Sequence, residues 1–111
     1  MKAICKHCVG CSTAGEIRGQ QVSDDSICLV AIRFETNAYV DVFSEQITSM
    51  NASFKTGEAL SQQLAKSSLK GVYVLAPGLD INGTALINGL TTHLPEHVGI
   101  SGGLAGDSRC I

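Results

Sequence analysis

The 111 residues carry eight Lys and Arg against ten Asp and Glu, for a net charge of -2, and 44% of them are hydrophobic. That size and apolar fraction suit one soluble domain with one core, and the mild acidity leaves no electrostatic footprint for nucleic acid or an anionic membrane. No apolar run is long enough to span a bilayer and none follows Met1-Lys2 as a secretory signal, so a cytoplasmic location is expected.

In chain order, the first candidate element is a short strand-like stretch from Ala3 to Val9. It overlaps Cys5-x-x-Cys8-x-x-Cys11, a spacing that can hold zinc or an iron-sulfur cluster with Cys28 or Cys110 as fourth ligand. On a strand, however, Cys8 points away from Cys5 and Cys11, so the three thiolates converge only if the stretch is a loop. Five cysteines is an odd count without framework spacing, and thiols rather than disulfides are expected. Gly10-Cys11-Ser12-Thr13-Ala14-Gly15-Glu16 follows, with a thiol, two hydroxyls and a carboxylate on a backbone that small residues allow to turn. Thr13 and Glu16 also match a helix capping box.

Ser26 to Phe34 and Tyr39 to Gln46 are rich in β-branched and aromatic residues around Glu35-Thr36-Asn37-Ala38, which predicts an antiparallel hairpin. From Phe54 to Leu69, apolar Ala59, Leu60, Leu64, Ala65 and Leu69 recur at helical steps between polar residues, which predicts an amphipathic helix stopped by Gly71. Val72 to Ala76 is a continuous apolar run that suits a strand buried on both faces. Pro77-Gly78-Leu79-Asp80 breaks it. A second helix is marked by Ala85, Leu86, Ile87, Leu90 and Leu94, capped by Asn82 or Thr84 and ended by Pro95. His97 to Ser101 reads as the last strand, leading into a glycine loop, Gly102-Gly103-Leu104-Ala105-Gly106-Asp107. The expected fold is α/β, a mixed sheet with an antiparallel hairpin and a β-α-β-α-β parallel portion over residues 39 to 101.

Loops at the carboxyl ends of parallel strands are where open α/β sheets bind ligands. The two glycine loops are therefore expected to meet and form one wall of a pocket, their amide N-H groups receiving an anionic or polar group. Gly10, Cys11, Ser12, Thr13, Gly15 and Glu16 would contribute from one loop, and Gly102, Gly103, Ala105, Gly106 and Asp107 from the other. The second loop resembles a dinucleotide fingerprint, but Ser101 stands where the first glycine belongs. Cys11 is a candidate nucleophile for an enzyme or redox protein, yet no motif places a base beside it, so a binding domain is expected rather than an enzyme.

Taken together, Gly10 to Ile17, Ala76-Pro77-Gly78-Leu79 and Gly102 to Asp107 resemble the N-terminal domain of the FIST family, named from F-box and intracellular signal transduction proteins. The resemblance extends over nearly all of residues 1-111, which would form a single, partial FIST N-terminal-like domain starting almost at the first motif and stopping four residues after the second. It implies a sensory domain of a signal transduction protein. Such a domain would bind a small, amino-acid-like molecule and report to a FIST C-terminal domain or another signalling output partner. Haem-dependent nitric oxide sensing is the alternative that the resemblance brings with it, and an inactive fragment is another. His7 is compatible with a haem ligand in principle, but no residue pattern singles out a cofactor.

Overall fold

Leu90 and two serines, Ser53 and Ser61, are the residues most completely withdrawn from solvent in the computed structural model, which describes residues 5-106. They mark the centre of the molecule, where two helices cross. The first, α1 (Ser53–Leu64), follows a single 3-10 turn at Met50–Ala52 and begins with the Ser53 hydroxyl donating to the Met50 carbonyl. The second, α2 (Gly83–Leu90), is capped by Asn82, whose Oδ1 accepts from the Ala85 amide at 3.0 Å, as expected of an Asn at the N-cap.

What α1 buries is a stripe of small residues. Ser53, Gly57 and Ser61 recur every fourth position, so they share one face, and Thr56 lies beside them. A Cβ on Gly57 would lie 2.2 Å from the Leu86 carbonyl oxygen, and one on Gly89 would lie 2.1 Å from the Phe54 carbonyl oxygen. The helices therefore touch backbone to backbone at Gly57 and Gly89. One turn to either side the buried serines meet backbone donors: Asn82 N-H donates to Ser53 Oγ at 3.0 Å, and His93 N-H donates to Ser61 Oγ at 2.8 Å. Buried hydroxyls are tolerated because they are bonded.

Two strands lie beside this helix pair. The first, Gly71–Pro77, and the second, Gly99–Ala105, pair in parallel from Gly71 opposite Gly99 to Pro77 opposite Ala105, with α2 in the crossover. Ala76, Ile81 and Leu86 form the apolar cluster between strand and helix, with Val74 and Ile47 packed against it. A further antiparallel hairpin joins Glu16–Arg18 to Gln21–Ser23 through a turn in which Gly19 takes a left-handed φ of 59°. Numbered in chain order, the strands are β1 (Glu16–Arg18), β2 (Gln21–Ser23), β3 (Gly71–Pro77) and β4 (Gly99–Ala105).

The α/β class, the antiparallel hairpin, the parallel pair and both helices agree with the sequence reading, but several positions do not. The hairpin lies at 16-23, and no strand falls within 26-46, so β3 and β4 form a sheet of their own, one β-α-β unit preceded by α1. Tyr39 to Gln46 instead runs beside the end of α1. Lys66 pairs with Asp41 at 2.9 Å and stands over the Phe43 ring, while Gln63 donates to Glu45. Helix α1 stops at Leu64 rather than Leu69 because Ala65 leaves the helical region, with ψ at 88°. Helix α2 stops at Leu90, short of Leu94, and the Thr91 hydroxyl bonds the Asn88 carbonyl there. The stretch Gly102 to Ala105 is strand and not loop, since β4 runs on through it. Residues 5-9 show no strand, and the capping box at Thr13 opens a strand instead of a helix.

Candidate functional site

The hairpin β1-β2 pairs Glu16 with Ser23, Ile17 with Val22 and Arg18 with Gln21. Beyond Ser23 the ladder ends. Asp25 adopts a positive φ of 51°, a conformation that takes the chain out of the extended region and separates the two arms. The space opened between them is a cleft of about 580 Å³, lined on one side by Cys11 to Glu16 and on the other by Asp24 to Cys28.

Glu16 holds this cleft together. Its Oε1 accepts from the Thr13 hydroxyl and its Oε2 accepts from the Ser26 hydroxyl at 2.7 Å, so one carboxylate ties the two arms. Ser23 and Ser26 hydroxyls are in turn 2.8 Å apart. The hydrogen bond from Thr13, then that from Ser26, hold the Glu16 carboxyl below the ordinary carboxylate range. Asp24 and Asp25 stand on the facing arm, and among the described residues no Lys, Arg or His lines the cleft. The sequence reading expected glycine amides to receive an anionic or polar group; the side chains on these walls add three carboxylates, Glu16, Asp24 and Asp25.

A second cleft, of about 300 Å³, lies between α2 and the β3-β4 sheet and is lined by Val74, Gly83, Leu86, Ile87 and residues 100-104. Gly102 and Gly103 line this apolar groove and are absent from the lining of the first cleft. Gly102 has a φ of 138°, and a Cβ there would lie 1.9 Å from the Val74 carbonyl oxygen, so close strand pairing accounts for this glycine. The two glycine stretches do meet, but at Gly106: a Cβ on it would lie 3.0 Å from Ala14 Cβ. The preceding Ala105 is buried. Thus Gly10, Cys11, Ser12, Thr13, Gly15 and Glu16 sit on one loop touching Gly106, whereas Gly102 and Gly103 face elsewhere, and Asp107 lies outside the described residues.

Sequence reasoning missed the arm from Asp24 to Cys28. The signal was available in Ile17 and Val22 flanking Arg18-Gly19-Gln20-Gln21, a tight-turn pattern that carries the chain straight back. For nucleophilic catalysis, Cys11 has no histidine beside it in the cleft lining, and Glu16 already accepts two hydroxyl bonds. Among the described residues no three His, Cys, Asp or Glu side chains are grouped to hold a metal ion. His7, whose Nε2 is buried with no hydrogen-bond partner among the described residues, lines neither of these two clefts. No helix among the described residues is long and apolar enough to cross a membrane.

A β-α-β unit with a polar cleft beside the end of its last strand defines a small α/β domain. Comparison with family models matches the FIST N domain over residues 2-110, and the chain belongs to that family. Membership places it among the sensory domains of signal transduction proteins. Comparison with curated proteins and with solved structures finds no match.

Proposed function

We propose that the chain is the small-ligand-binding part of a cytoplasmic signalling protein, and that the cleft between residues 11-16 and 24-28 receives a ligand bearing a cationic amino group, such as an amino acid or a related amine. The observation that carries this reading is the cleft's lining: Glu16, Asp24 and Asp25 with the Thr13 and Ser26 hydroxyls and, among the described residues, no basic side chain. An ammonium group donates three hydrogen bonds and accepts none, which complements an acceptor-rich wall. Binding that favours one arrangement of the two arms would be passed to a FIST C-terminal domain or another signalling output partner.

Calorimetric titration with free amino acids, set against the same compounds N-acetylated at the α-amino group, tests the reading. A free amino acid is expected to bind and its acetylated form to fail. Glu16→Gln is expected to weaken binding about tenfold or more, the worth of a charge-assisted hydrogen bond at about 1.5 to 3 kcal/mol. Equal binding of the acetylated compounds would overturn it. Native mass spectrometry of the protein as purified gives an independent view, since a retained amine would add its mass.

A further inference from the structure

We propose that Cys11 and Cys28 are a thiol pair that oxidises to a disulfide and closes the cleft. The hairpin ladder pairs residues whose numbers add to 39: 16 with 23, 17 with 22 and 18 with 21. Continued past the end of the ladder, the same register sets 15 opposite 24, 13 opposite 26 and 11 opposite 28.

One of these outer pairings is already close, and another is bridged by a third side chain. A Cβ on Gly15 would lie 3.0 Å from Asp24 Oδ1, and Thr13 and Ser26 are joined through the Glu16 carboxylate. The cleft lining follows the same register, since its two walls are residues 11-16 and residues 24-28. The cleft is thus the unzipped outer part of the hairpin, and Cys11 and Cys28 are the facing pair at its open end.

Opposed residues in an antiparallel pair have Cα atoms about 4.5 to 5.5 Å apart, inside the range of about 4.4 to 6.8 Å that a disulfide spans. Cys28 is exposed and Cys11 half-buried, both are free thiols, and neither a helix nor a strand includes residues 24-49. No ladder therefore holds the Cys28 arm away. Zipping the arms to the hairpin's own register brings the sulfurs together.

The oxidant is a low-molecular-weight disulfide. The thiolate of one cysteine attacks a sulfur of the reagent, forming a mixed disulfide and releasing one reagent thiolate, which takes up the proton that cysteine gave up. The second cysteine, as thiolate, attacks the protein sulfur of that mixed disulfide and expels the other reagent thiol. The two protein thiols are oxidised by two electrons, and the reagent is reduced to two thiols. The disulfide forms without any ligand, so its failure would leave the proposed function standing, and failure of ligand binding would leave the disulfide standing.

Incubating the full chain with glutathione disulfide, followed by peptide mapping without reduction, tests the pair. The expected product is a monomer in which the peptide containing Cys11 is linked to the peptide containing Cys28, with hydrogen exchange slowed across residues 11-16 and 24-28. Cys28→Ser should instead trap a glutathione adduct on Cys11. Stable glutathione adducts on both cysteines of the unmodified sequence, or linkage of either to Cys5 or Cys8, would overturn the proposal. So would a Cys11 to Cys28 link found only between two chains.

Discussion

Replacing Gly57 by Ala should destabilise the protein by about 2 to 4 kcal/mol, although the same change on an isolated helix gains about 1 kcal/mol of helix propensity. The new Cβ would sit 2.2 Å from the Leu86 carbonyl oxygen and 2.8 Å from the Leu90 nitrogen, both backbone atoms that no side-chain rotation can move. Restoring an ordinary contact of about 3.5 Å requires α1 and α2 to part by roughly 1 Å. Overpacking of that kind costs about 1 to 3 kcal/mol. Parting the helices also stretches the bonds to Ser53 Oγ and Ser61 Oγ, now 3.0 and 2.8 Å, whose loss adds about 1 kcal/mol each. Set against the propensity gain, the net is the figure above, and urea unfolding should show a midpoint lowered by about 1 to 2 M at a slope near 2 kcal/mol per M. Gly83→Ala is the control, because its Cβ meets only the end of the Leu104 side chain, at 3.2 Å. A Gly57→Ala midpoint equal to or above that of the parent protein would refute the close crossing.

Leu90→Ala, at a site with 0% exposure, should lower stability by about 2 to 5 kcal/mol in the same assay, while half-buried Leu64→Ala loses less and exposed Gln62→Ala stays near the parent midpoint. Gly102→Ala should disrupt pairing of β3 with β4, its Cβ falling 1.9 Å from the Val74 carbonyl oxygen, whereas Gly103→Ala, with nothing within 4 Å, should leave the unfolding midpoint unchanged; equal midpoints would contradict the register. Glu16 has its carboxyl lowered by Thr13 and then Ser26, so its contribution to stability is complete above the ordinary carboxylate value and is lost as pH falls through the lowered folded value. An NMR titration should find the Glu16 midpoint raised in Thr13→Val and in Ser26→Ala, and an unmoved midpoint would mean that the clamp does not form.

Legibility from sequence followed the strength of the local signal. Asn82 as one of the two candidate caps, Pro77 at a strand end and Val72 to Ala76 as a strand stand where they were read, but that strand is not buried on both faces: Tyr73 is exposed and only Ala76 is buried, because a two-stranded sheet leaves one side uncovered. The face of α1 was read from its aliphatic residues, and this failed because the contact is made by small ones. Ala59, Leu60 and Leu64 are only half-buried, while Ser53, Thr56, Gly57 and Ser61 are buried. A hydrophobicity count rewards size, but a close helix crossing selects for its absence. The four-residue spacing of Ser53, Gly57 and Ser61, with Gly89 on the partner, was the usable pattern.

The glycine stretches show a different limit. Both were read as turns because glycine permits turning, yet Gly102 lies in a strand where glycine serves close approach to Val74. Composition cannot separate these uses, since both follow from the missing Cβ. Among the described residues the two stretches approach at Gly106, against Ala14. The candidate site depended on long-range information of another kind, the hairpin whose turn at Gly19-Gln20 brings Asp24 to Cys28 back across the cleft from Cys11 to Glu16.

A sensor must have two arrangements that a ligand can tell apart, and the packing restricts where those can be. The helix pair cannot slide in small steps, because Gly57 and Gly89 already touch the opposite backbone and the buried serines fix the ends of the crossing. The arms of the hairpin are different: the β1-β2 ladder covers residues 16-18 and 21-23, and beyond it one carboxylate accepts a hydroxyl bond from each arm. Under the proposed function, a cation bound at Glu16 competes with the Thr13 and Ser26 hydroxyls for the same oxygens, so binding and the clamp are energetically linked. Movement of the first arm is felt at Ala14, which touches Gly106 just past the end of β4, and β4 is paired through its whole length with β3. On that reading the element that changes is small, and at Ala14 it abuts the paired strands through Gly106. Gly106→Val, which would push Ala14 away, should therefore alter the response of the arms to an amine before it alters the unfolding of the helix pair.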